Sequence, residues 1–322
     1  MTGLAWLGAT GAALLVYAVW VVRRNRGLQR PPVVDARGEP LPARRLQLSD
    51  GECVAFHDAG TGPAVLLVPG ADGIKETFRY QVPALMQDHR VICADLRTRL
   101  APADTLDRFA DDLAELLDHL EIPEAAVVGQ SLGGAIAMRF AVRHPGRVRA
   151  LVLSNTLARV SYEHVGLNRA ALTPVAMATT RWLPTPVARA LARLWSRVAV
   201  WIFDDSPGGA RVVEYALFTG ARTVSPRVSS VRVDRLRRTD LRPELPAIQA
   251  PTLVLKGPRD CYTPPAWAEE IARLIPGSSY VTIPGTGHCS HISMPGSFNR
   301  ILIDWLAGTA RPAKTPGEEV VE

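Results

Sequence analysis

The chain has 322 residues, of which 47% are hydrophobic and 21% charged, with a formal net charge of +6. These averages exclude a disordered chain, a collagen-like repeat and a small disulfide-stapled domain, and the length suits either two domains or one enlarged domain carrying an insertion. The charge does not argue for nucleic acid: 34 of the 37 basic residues are Arg, scattered along the chain, with no zinc-finger spacing and no aromatic RNA-binding motif.

Residues 3–22 hold no charged side chain, and Arg23, Arg24, Arg26 and Arg30 follow at once. A helix of that length, at about 1.5 Å per residue, reaches roughly 30 Å, the hydrocarbon thickness of a bilayer. Trp6, Tyr17 and Trp20 suit the interfacial belt, the Arg cluster suits the cytoplasmic side, and no Ala-x-Ala-like cut site marks a removable signal. The expectation is a single-pass transmembrane anchor at residues 1–22, the remainder of the chain on the cytoplasmic side, and membrane lipid as a partner of the basic residues.

Residues 23–45, rich in Pro, Arg and Gly, predict a linker. Apolar runs at 53–57, 64–68, 91–94, 126–129, 150–153, 252–256 and 280–283 then predict strands. Leu106, Phe109, Leu113, Leu116, Leu117 and Leu120 recur at helical spacing and predict a helix over 105–120, with a second over 132–144. Uninterrupted runs such as Ala126-Val127-Val128 suit strands buried on both faces, hence a mostly parallel sheet with helices on both faces. The alternation stops after Thr156 and resumes at Pro251. Residues 46–155 and 241–308 are therefore expected as two halves of one core, 156–240 as an inserted helical cap, and 309–322 as a disordered tail. Within the cap, Arg189, Arg193 and Arg197 recur every four residues beside Leu194, Trp195, Val198 and Trp201. This amphipathic helix is expected to be a lid over a pocket or, against a membrane, an entrance for lipophilic acyl esters.

The chemistry is concentrated in Gly129-Gln130-Ser131-Leu132-Gly133-Gly134, where a buried strand runs through Gly-x-Ser-x-Gly directly into a helix. In that context the serine is an exposed nucleophile on a strained turn, and its glycines allow strand and helix to approach. A serine hydroxyl needs a base held by an acid, and both follow in order: Asp260 past the strand at 252–256, and His288 past the last strand. His291 is the rival base. An oxyanion would be met by the backbone N–H groups of Leu132 and of Ala71 in Pro69-Gly70-Ala71-Asp72-Gly73. Asp72 beside that hole is expected to turn away or to pair with Lys75 or Arg79, and Asp95 to orient its loop together with Arg97. Cys53, Cys93, Cys261 and Cys289 show no metal-site spacing and read as small hydrophobes, and neither metal nor organic cofactor is expected.

With these motifs, and with Phe109-Ala110-Asp111-Asp112-Leu113, His144-Pro145-Gly146-Arg147-Val148 and Ala250-Pro251-Thr252-Leu253-Val254, the sequence resembles the α/β-hydrolase family over about residues 45–306. Within it the resemblance is to the enol-lactonase, haloperoxidase and esterase-like branch. That resemblance implies Ser131 as nucleophile, Asp260 as acid and His288 as base. It departs from the family at Pro69-Gly70, where a His-Gly start is usual, at Thr98-Arg99-Leu100, and at Met294. The function expected is a membrane-anchored serine hydrolase acting on a lipophilic ester, lactone or lipid-like acyl substrate. Cofactor-free perhydrolysis of the haloperoxidase kind and carbon–carbon hydrolysis use the same triad. A non-catalytic tethered scaffold is the alternative from another class.

Overall fold

The computed structural model describes residues 30–160, 207–215 and 225–309, together with Ala13, Leu15, Val16, Tyr17, Val19 and Trp20. Eight strands make one sheet: β1 (Arg44–Gln47), β2 (Cys53–Ala59), β3 (Ala64–Val68), β4 (Arg90–Ala94), β5 (Ala125–Gln130), β6 (Val148–Ser154), β7 (Thr252–Lys256) and β8 (Ser279–Thr282). Their order is β1-β2-β4-β3-β5-β6-β7-β8, with β2 antiparallel to β1 and β4 and all other neighbours parallel.

Successive side chains of a strand point to opposite faces, so a strand covered on both must be apolar throughout. Along β3, Val65 and Leu67 enter one core and Leu66 and Val68 the other; along β5, Ala126 and Val128 oppose Ala125 and Val127. The helices are α1 (Val82–Leu85), α2 (Leu106–His119), α3 (Leu132–Arg143), α4 (Gly209–Glu214), α5 (Pro226–Arg237), α6 (Pro265–Leu274), α7 (Ser290–Ser293) and α8 (Pro295–Thr309). α2 begins where Thr105 Oγ1 accepts the Asp107 N–H at 3.2 Å, satisfying one of the orphan donors of the first turn. Its Leu106, Phe109, Leu113 and Leu116 share one core with α3 and α6, while α1 and α8 fill the other through Val82, Leu85, Phe298, Leu302 and Leu306. Because the parallel strands share one direction, the loops after β3, β5, β6, β7 and β8 gather at one edge of the sheet.

The described part of the insertion between β6 and β7 is helical, in α4 and α5. The helix expected around Arg189, Arg193 and Arg197, and residues 310–322 of the expected tail, lie outside the described residues. The membrane anchor is corrected. Among the described residues no helix is long and apolar enough to cross a membrane, so the single-pass localisation with a cytoplasmic domain does not hold, and the membrane-lipid partner loses its basis. An uncharged run is necessary for spanning but not sufficient, because in lipid an unbroken helix of about 20 residues must satisfy every backbone group.

Much of the stretch expected as a linker is docked. Val33 is buried in the core that holds Phe298, Leu41 packs against it, and Arg30 Nη1 reaches Glu76 Oε2 at 3.2 Å and Asp95 Oδ2 at 3.0 Å. Pro and Gly content reports irregular backbone, not whether that backbone is packed.

Candidate active site

Between β5 and α3, Ser131 turns at φ +55° and ψ −120°, a conformation that residues with a Cβ rarely adopt and that costs of order 1–3 kcal/mol to hold. The surroundings impose it. A Cβ at Gly129 would run into the backbone of Gly133, and one at Gly133 into the carbonyls of Val68 and Pro69 at the end of β3. The Ser131 N–H donates to Ser154 O at 3.0 Å, and its carbonyl accepts from Thr156 Oγ1 at 2.6 Å. Gly133→Ala should therefore cost about 3 kcal/mol, read as a fall of roughly 10 °C in the thermal midpoint for a domain of this size.

The loops after β7 and β8 bring the two expected partners to this serine. His288 Nε2 lies 3.0 Å from Ser131 Oγ, and Nδ1 lies 3.0 Å from Asp260 Oδ2 and 3.1 Å from Oδ1. The loops are tied together: Arg259 N–H donates to Thr286 O at 3.0 Å, Gly257 N–H to Asn155 Oδ1 at 2.8 Å, and Asn155 Nδ2 to Ser290 Oγ at 2.8 Å. Asp260 is buried, and its Oδ1 accepts the N–H groups of Tyr262 and Thr263 at 2.8 and 3.0 Å. Its Oδ2 accepts Lys256 Nζ at 2.5 Å and the Thr263 hydroxyl. Burial alone would push this carboxyl up, but His288 and Lys256 outweigh it and hold Asp260 well below the usual carboxylate range.

His291, the rival base, makes its contacts elsewhere. Its Nε2 meets Thr77 Oγ1 at 3.1 Å, its ring packs between Phe78 and Phe298, and burial pushes the imidazole down to about 3. The expected oxyanion donors flank the elbow. Gly70 O accepts the Gly73 N–H at 2.9 Å, so the Ala71 N–H of the same trans peptide points out of that turn. A Cβ on Gly70 would stand 3.5 Å from Ser131 Cβ, which sets the turn directly over the serine. Leu132 opens α3, so its N–H has no acceptor within the helix. Among the described residues no group of three or more His, Cys, Asp or Glu is placed to hold a metal ion.

A profile of the alpha/beta hydrolase fold matches residues 63–295. The chain belongs to the alpha/beta hydrolase fold family. It is 31% identical over 290 residues to the polyketide synthase ThaQ of Burkholderia thailandensis, a match that covers 87% of this chain and spans only 13% of that protein. It is 28% identical over 265 residues to 3-oxoadipate enol-lactonase 2 of Acinetobacter baylyi, with 77% of this chain and 92% of the relative covered. Among solved structures, a thermophilic esterase from Thermogutta terrifontis matches with a TM-score of 0.64 and 29% identity, over 84% of this chain and 100% of the esterase. The resemblance to the enol-lactonase, haloperoxidase and esterase branch is borne out.

Other contacts in this alpha/beta hydrolase differ from the sequence reading. Asp72 pairs with neither Lys75 nor Arg79; it accepts the hydroxyl of Tyr215, just past α4. Burial pushes both groups up, so the tyrosine keeps its proton and donates it. Lys75 goes to Glu76 at 2.9 Å and Asp95 at 3.5 Å. Asp95 is structural, accepting the Lys75 N–H at 2.8 Å and Arg30 Nη1 at 3.0 Å, but it does not pair with Arg97, whose guanidinium grips Asp112 at 2.6 and 3.0 Å and Asp50 at 2.8 Å. Three residues around the site escaped notice in the sequence: Tyr215, Arg232 and Lys256. Only Lys256 had a local signal, as a charged residue ending an otherwise apolar run four positions before Asp260. The acceptors of Arg232 are backbone carbonyls 135 to 161 residues away.

Proposed function

We propose that this alpha/beta hydrolase is a serine esterase or lactonase that cleaves a small lipophilic carboxylic ester or lactone through an acyl-enzyme on Ser131. The observation that carries the reading is the unbroken hydrogen-bonded series from Ser131 Oγ through the His288 imidazole to Asp260. Asp260 accepts the Nδ1–H, which leaves Nε2 as the acceptor for the serine proton. As Oγ attacks the carbonyl carbon, His288 takes that proton, and the N–H groups of Ala71 and Leu132 meet the developing oxyanion. His288 then returns the proton to the leaving alkoxide. It next deprotonates the water that attacks the acyl carbon, and as the tetrahedral intermediate collapses to the acid it returns that proton to the departing Ser131 Oγ. The enol-lactonase and the esterase among the relatives support ester-type chemistry.

A fluorophosphonate probe should label the wild-type chain at Ser131, located by peptide mass spectrometry, and leave Ser131→Ala unlabelled. A wild type that resists the probe, or a labelled Ser131→Ala, overturns the reading. A series of p-nitrophenyl esters from acetate to decanoate then ranks acyl-chain length.

A further inference from the structure

We propose that Lys256 is a positioning residue that shares the charge of Asp260 and thereby lowers the pH at which His288 becomes a competent base. The inference rests on the serine-hydrolase reading above. Lys256 ends β7, and both its side chain and that of Asp260 are 0% exposed. An ammonium group has three hydrogens, and here it finds three acceptors: Asp260 Oδ2 at 2.5 Å, Thr263 Oγ1 at 2.9 Å and the Thr263 carbonyl. The Thr263 hydroxyl passes its own hydrogen to Asp260 Oδ2. That same oxygen stands 3.0 Å from His288 Nδ1. A buried cation therefore sits on the carboxylate oxygen that the imidazole uses.

The consequence is electrostatic. A carboxylate devoted to one histidine favours imidazolium and raises its pKa. A cation on the same oxygen cancels much of that attraction and repels the imidazolium directly. His288 must be neutral to accept the Ser131 proton, so the pair with Lys256 extends activity towards acid. Among the described residues, the other groups set against the His288 ring carry no comparable charge. Ser131 faces Nε2, the Tyr262 ring lies 5.0 Å away, and His291 of α7 is held uncharged by burial. Cys261 and Cys289 adjoin the acid and the base in the chain, and Arg79 acts on His291. Burial pushes the Lys256 ammonium down, and Asp260 pulls it back up.

The test is the pH dependence of the rate at which the fluorophosphonate labels the full chain. The midpoint of the wild-type acid limb is the reference. Lys256→Met and Lys256→Gln should move it up by about one pH unit, so that labelling well below the limb slows roughly tenfold relative to the plateau. Thr263→Val removes a hydroxyl but no charge, and should move the midpoint less than either. Folded Lys256 variants whose midpoint stays in place or moves down overturn the inference. Should neither Lys256 variant fold, Thr263→Val decides: an acid limb that stays in place or moves down when that donor to Asp260 Oδ2 is removed overturns the proposal. A wild type that labels at no pH removes the serine-hydrolase reading itself, whereas one that labels with an unmoved limb removes only the role of Lys256.

Discussion

Asp260→Asn is expected to lower kcat on a p-nitrophenyl ester by roughly four orders of magnitude and to cost about 3–5 kcal/mol of stability. The kinetic loss follows from the tautomer: an amide cannot hold the Nδ1–H of His288 as a carboxylate does, so Nε2 is no longer reserved for the Ser131 proton. The stability loss has a separate cause. Lys256 keeps its burial and loses the carboxylate that chiefly offset it. The two effects separate in the double variant Lys256→Met/Asp260→Asn. Removing both members of a buried pair is often nearly neutral, so the thermal midpoint should return towards wild type while activity does not.

The pH dependence of Asp260→Asn has a definite sign. With its partner gone, the folded-state pKa of Lys256 falls further below the unfolded value of about 10.4. At neutral pH the unfolded chain then binds more protons than the folded one, and stability rises with pH by up to about 1.4 kcal/mol per unit until that value is reached. Wild type carries the converse term. Asp260 is held below its ordinary range, so its contribution is complete above about pH 4 and is lost as the pH falls further. Thermal midpoints of wild type and variant should therefore converge between pH 7 and pH 10. Parallel curves would show that losing Asp260 leaves the proton affinity of folded Lys256 unchanged.

What could be read from the sequence was what local physics decides. Ala126-Val127-Val128 and Leu151-Val152-Leu153 read as doubly buried strands because their burial is written into consecutive side chains. The elbow was legible because Gly129 and Gly133 are demanded by backbone within a few residues and by the neighbouring β3. β1 was not legible: of Arg44–Gln47 only Leu46 is buried, and the strand exists through its pairing with β2. Asp95 and Arg97, two residues apart, suggested a pair, yet Arg97 reaches into α2 for Asp112 and Asp95 receives the Lys75 N–H at 2.8 Å. Polar partners are chosen by tertiary proximity, which spacing does not encode. The buried Lys256 illustrates the same point, since its position in β7 was plain while its target depended on how the next loop folds back.

Arg232→Met is expected to lower kcat by about 10²-fold with little change in KM, and to cost roughly 3 kcal/mol of stability. Arg232 comes from α5 of the insertion and is buried, and every one of its donor nitrogens reaches backbone. Nε donates to Arg97 O at 3.2 Å, Nη1 to Asp72 O at 2.8 Å and Ala71 O at 3.3 Å, and Nη2 to the Leu96 and Arg97 carbonyls at 2.8 Å each. Burial pushes the guanidinium down to about 10, so it stays charged at neutral pH. A side chain at Gly73, which sits at φ +63°, would collide with it. The two carbonyls after the Ala71 N–H are thereby fixed from one side, while the Gly73 N–H fixes Gly70 O from the other. Release of that clamp lets the turn rotate and takes the Ala71 N–H off the oxyanion, a loss felt in the transition state more than in substrate binding. Arg232→Lys keeps the charge but not the planar fork, so it should recover stability better than rate. A folded Arg232→Met with kcat close to wild type would mean that the turn holds its shape unaided and that the insertion plays no part in setting the oxyanion donors.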